Sequence, residues 1–114
     1  MRIAWWIVGA ALAAGCTGPA AADCPADLPA SCPAGAAGYQ ATIAPLIAAR
    51  CTPCHAPGGQ SSHPLLIWDQ IHALRGEVLS QVYACRMPQA GATPLTAAER
   101  TELLGWLVCE APDD

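Results

Sequence analysis

Cys51-Thr52-Pro53-Cys54-His55 sets two thiols three positions apart with an imidazole directly after the second. Three chemistries use such a set. Two thiols at this spacing can each add to one of the two vinyl groups of a porphyrin while the adjacent imidazole coordinates its iron, the attachment pattern of c-type haem. C-x-x-C also serves dithiol redox sites and half of a zinc site. A dithiol redox domain needs strands on both sides of the motif, and the sequence shows no alternating apolar pattern and too little chain after His55 to build them. Zinc needs a second ligand pair at compact spacing, whereas Cys85 and Cys109 stand far apart and no second C-x-x-C exists. Covalent haem is the leading reading, with Cys51 and Cys54 holding the ring and His55 as proximal iron ligand.

The elements that must position these groups read as helices and loops throughout. A first helix is expected from near Thr42 to Cys51, with Pro45 tolerated in its first turn and Ile43, Leu46 and Ile47 on one face. A second is expected around Leu66 to Leu74, broken at Gly76, and a third from Glu77 to Cys85 with Val78, Val82 and Cys85 at helical spacing. Pro88 stops it. The last is the best marked: Thr96 with Glu99 three residues on is a capping box, and Leu103, Leu104, Trp106 and Leu107 supply a buried side. A helical unit of this size seldom holds together on its core alone, so staples or a cofactor are expected.

Cys85-Arg86-Met87-Pro88 adds a second chemical group, because a Met thioether is the commonest sixth ligand of small electron-carrying haem proteins. Met87 is the sole Met after Met1. His63, in the Gly58-Gly59-Gln60-Ser61-Ser62 loop, and His72, beside Ile71 and Leu74, are the other candidates for that position, and solvated or core-edge roles suit both better. The helix Thr42 to Arg50 leading into the haem motif, the Met87-Pro88 pair, and Leu95-Thr96 through Glu99 to Leu104, Trp106 and Leu107 together resemble a class I (monohaem) cytochrome c domain over most of Tyr39 to Pro112. The resemblance implies a small all-α domain wrapped around one covalent haem, with the first and last helices crossing at Trp106 and with Met87 as the sixth ligand. Cys85 and Cys109 are departures from that family's pattern.

Arg2 followed by an apolar run from Ile3 to Ala14, too short to cross a bilayer, reads as an export signal. Its end, Leu12-Ala13-Ala14-Gly15-Cys16, resembles the lipobox of bacterial lipoproteins, which implies cleavage after residue 15 and acylation of Cys16. Thr17, in place of the Asp that retains many lipoproteins in the inner membrane, points by the same resemblance to the outer membrane, on the periplasmic side of the cell envelope. Residues 16–38 are Ala, Gly and Pro-rich with Leu28 the one large apolar residue, and read as a tether to a domain over 39–114. With Cys16, Cys51 and Cys54 assigned, Cys24, Cys32, Cys85 and Cys109 remain for disulfides in an oxidising compartment. The economical pairing joins Cys24 to Cys32 and Cys85 to Cys109, with the other connectivities open.

The formal charge is −4, and no Lys occurs anywhere. Binding to nucleic acid or anionic lipid headgroups is therefore disfavoured, as is a lysine-ringed docking face, and a charged redox protein partner should be neutral or basic. The expected function is single-electron transfer by one haem c, without catalytic residues. Two alternatives stand beside it: a haem enzyme or gas sensor with an open sixth position, and a structural lipoprotein without haem.

Overall fold

The computed structural model describes residues 24–114. Cys16 and the proposed signal lie outside the described residues. The described residues form helices and loops with no strand among them, as the period of the apolar residues predicts.

Tyr39–Ile43 is a π-helical turn that runs directly into α1, Ala44–Arg50, with Pro45 in the first turn of α1. This places Tyr39, Ile43, Leu46 and Ile47 on one buried face. Helix α2 is Trp68–Ala73 and α3 is Arg75–Tyr83. The break between them falls at Leu74, whose backbone at φ −106° and ψ 14° leaves the helical region, and not at Gly76. Gly76 lies in the first turn of α3, where an added Cβ would meet nothing. Helix α4, Ala97–Val108, begins with the expected capping box: Glu99 N–H donates to Thr96 Oγ1, and the Thr96 N–H donates to the Glu99 carboxylate.

Helix α4 is the spine of the core. Leu103, Leu104, Trp106 and Leu107 are buried, and Trp106, with no exposed surface, stacks on Tyr39 at 5.8 Å between ring centroids. This contact joins the start of the first helical segment to the end of the last. The chain end wraps back over the same junction. Trp106 Nε1 donates to Pro112 O, Trp68 Nε1 to Ala111 O, and the Gln40 N–H to the Asp114 carboxylate.

The disulfides differ from the expected pairing. Cys24 is bonded to Cys85 and Cys32 to Cys109, so neither the Cys24–Cys32 loop nor the Cys85–Cys109 staple forms. Proximity in sequence favours the short loop only slightly, since closure cost rises with the logarithm of loop length. The segment from Cys24 is consequently fastened to the ends of α3 and α4 and is not a free tether.

Arg50, in the last turn of α1, grips Glu99 in the first turn of α4 through three hydrogen bonds of 3.1–3.2 Å. These bonds, with the Thr96 backbone N–H, hold the Glu99 carboxyl below its ordinary value of 4.5. A carboxyl depressed on folding adds stability that is present above its unfolded pKa and is lost as pH falls through the folded one. The Glu99→Gln variant should therefore cost on the order of 0.5–1 kcal/mol at pH 7, the size expected of a partly exposed pair. That cost should be smaller at a pH well below the ordinary carboxylate value than at pH 7, as read from urea midpoints of both proteins. A cost that is the same at both pH values would assign the effect to capping and not to charge.

Candidate functional site

Helix α1 delivers the motif. It ends at Cys51, whose N–H still bonds to Ile47 O, and the chain then closes a tight turn in which the Cys54 and His55 N–H groups both donate to Cys51 O. Thr52, inside the motif, ties this turn down: its hydroxyl reaches Ile47 O and Leu65 O. The loop that follows folds back on the motif. Gly59 N–H donates to Ala56 O and Ser61 N–H to Cys54 O. A Cβ on Gly59 would stand 2.5 Å from Cys54 O, so only glycine fits this approach. Leu65 N–H then donates to His55 O and locks the return.

His55 is oriented by the same loop. Its Nδ1 lies 2.8 Å from the backbone oxygen of His63. A carbonyl oxygen can only accept, so Nδ1 carries a proton, and in the neutral ring this leaves the lone pair on Nε2. A metal-ligating histidine is held in this way, with one ring nitrogen donating to a carbonyl and the other available for the metal.

Cys51, Cys54, His55 and Met87 all line one cavity of about 430 Å³. Its apolar walls come from Leu65, from Leu74, Val78 and Val82 on and before α3, and from Leu95 and Leu103. A volume in this range, apolar with a few convergent polar groups, is that of a small-molecule or cofactor site. Gln89 also borders it, and the Gln89 side-chain oxygen is buried without a hydrogen-bond partner. A buried carbonyl left unpaired is uncommon in a finished structure. The apolar walls suit a ligand with an apolar body, and the Gln89 oxygen offers an acceptor to any hydrogen-bond donor that such a ligand carries.

Burial pushes the Cys51 thiol up to about 11, so it stays protonated at neutral pH. A dithiol exchange site or a zinc site depends on easily formed thiolate, and Cys51 is poorly suited to either. Cys54 is disulfide-bonded. Among the described residues no group of three or more His, Cys, Asp or Glu could hold a bare metal ion.

His72 stacks on Trp68 at 4.4 Å and does not line the cavity. His63 borders the cavity and gives its backbone oxygen to His55, a role no side-chain pattern announces. Gly59 and Thr52 were equally hidden in the sequence, because Gly59 acts through backbone geometry and the Thr52 hydroxyl bonds to backbone oxygens that only the fold brings to it. No helix among the described residues is long and apolar enough to cross a membrane. Comparison with family models, with curated proteins and with solved structures finds no match to this chain.

Proposed function

We propose that this protein is a monohaem c-type cytochrome that carries single electrons, anchored through an acylated Cys16 on the periplasmic side of the cell envelope. The observation that carries the reading is the meeting of Cys51, Cys54, His55 and Met87 around one apolar cavity, with His55 already oriented by the His63 carbonyl. Haem would supply an iron that cycles between ferric and ferrous states. The chain's own residues do the rest. The Cys51 and Cys54 sulfurs would hold the group as thioethers, each S–H adding across a vinyl double bond with no leaving group. Both must be thiols for this, so the Cys54 disulfide is first opened by an external dithiol supplying two electrons and two protons. His55 Nε2 and the Met87 thioether would hold the iron, which would keep substrates off it and leave outer-sphere electron transfer as the activity. Leu65, Val78, Val82 and Leu103 exclude water and so favour the less charged ferrous form. With no Lys in the chain and a net charge of −4, the redox partner is a protein with a neutral or basic docking face.

The test is direct. Expressed together with haem-ligation machinery and denatured, the purified protein should retain haem by staining and by mass, and Cys51→Ala/Cys54→Ala should not. A mass equal to that of the polypeptide alone would end the proposal.

A further inference from the structure

We propose that Cys24 to Asp27, bolted through Cys24–Cys85 and clamped by Arg100, is the positioning element that holds the Met87 segment against the cavity. As a statement about the sixth ligand this rests on the haem reading above; as a statement about the segment it does not. Between the end of α3 at Tyr83 and the start of α4 at Ala97 the chain has little backbone bonding of its own. The Arg86 and Met87 N–H groups both donate to Gln81 O, and one further turn closes from Ala92 to Gln89. The return from α3 pivots on Cys85, whose φ of 59° is a left-handed conformation that a side chain disfavours and that something must hold.

Arg100 and the N-terminal segment hold it. From α4 the guanidinium donates to Val82 O at 2.8 Å and Tyr83 O at 3.2 Å, tying down the last carbonyls of α3, where Val82 O also accepts the Cys85 N–H. Its other edge takes the Asp27 carboxylate in two bonds of 2.9 Å, with Pro25 O beside them. The Arg100 side chain is only 12% exposed. Cys24 thus reaches Cys85 from a segment already fixed to α4, and Cys85 lies two residues before Met87. Nothing comparable fixes the chain on the far side of Met87 among the described residues.

The second disulfide supplies the control. Cys32–Cys109 spans 77 residues against 61 for Cys24–Cys85, so removing either costs a similar loop-closure entropy, but the second fastens the end of α4 and leaves the Met87 segment alone. An external ligand that enters only when Met87 moves away binds in proportion to the open fraction. Two readouts then separate the roles, taken where each variant is folded. In the haem-loaded ferric protein, Cys24→Ser/Cys85→Ser should bind imidazole at least tenfold more tightly, and Cys32→Ser/Cys109→Ser less than threefold. In haem-free protein, trypsin cleavage after the exposed Arg86 should accelerate at least tenfold in the first pair alone. Equal changes in the two pairs, or none, overturn the proposal. If no haem is bound the tryptic arm decides by itself, so the loss of the cytochrome reading is distinguishable from the loss of this one. Where a serine pair does not fold, Asp27→Asn keeps both disulfides and weakens only the clamp. It should speed cleavage after Arg86 about threefold, and an unchanged rate counts against the proposal.

Discussion

Replacing Cys24, Cys32, Cys85 and Cys109 together by serine is expected to abolish the folded state at 37 °C. The two bonds close loops of 61 and 77 residues, and loop-closure entropy assigns roughly 4 kcal/mol to each taken alone. A domain of this size has about 5–15 kcal/mol of stability in total. Little else here could absorb the loss. The core rests on Trp106, Tyr39 and a small set of Ile, Leu and Val side chains, and no Phe occurs in the sequence. Each pair removed alone should lower the thermal midpoint by at least about 15 °C, at roughly 4–8 °C per kcal/mol for a domain this small. The measurement is helical circular dichroism on heating, for the parent, the two pair variants and the fourfold variant. A fourfold variant that melts cooperatively within a few degrees of the parent would mean that the two bonds constrain nothing the core does not already hold.

Under the proposed function, Met87→His should lower the midpoint potential by on the order of 0.1–0.3 V, within the roughly 0.8 V that axial ligands command. A thioether favours ferrous iron, and imidazole donates more strongly to ferric iron, so the exchange shifts the couple downward. Haem should remain attached, because Cys51, Cys54 and His55 are held by the Thr52 and Gly59 turn and not by the Met87 segment. Met87→Ala should open the sixth position, so that the reduced protein binds carbon monoxide rapidly, and the weak red-edge band of sulfur-to-iron charge transfer should disappear. If the unaltered protein already binds carbon monoxide rapidly, and Met87→Ala changes neither band nor potential, Met87 is packing. The open-site alternative, a haem enzyme or gas sensor, then leads.

What could be read from the sequence was what is local. The Thr96 to Glu99 capping box, the first-turn Pro45, and the apolar faces of α1 and α4 each depend on residues within a turn or two of one another, and each forms as expected. The motif Cys51 to His55 was legible for the same reason, and Met87 through its place beside Pro88. The break assigned to Gly76 misplaced the cause: glycine weakens a helix without ending it, and the chain turns at Leu74, whose side chain lines the cavity. The disulfide pairing failed because it was judged by sequence distance, while the bonds follow contacts made 61 and 77 residues apart. Nothing in the sequence singled out Arg100. Its six hydrogen bonds go to carbonyls, a sulfur and a carboxylate that approach one another solely in the folded chain.

The bond from Cys24 to Cys85 also changes the length of the leash. Were the chain free from Cys16 to Gly38, its contour would span roughly 80 Å, at about 3.6 Å per residue fully extended. With Cys24 fastened, the contour available from Cys16 is roughly 29 Å on the same measure. If Cys16 is seated in lipid as proposed, the domain cannot leave the neighbourhood of the bilayer surface or sweep across the aqueous gap beyond it. Encounters with an electron donor or acceptor then become a search in two dimensions, set by how fast both molecules drift within the membrane, and the favoured partner is one that is itself membrane-bound.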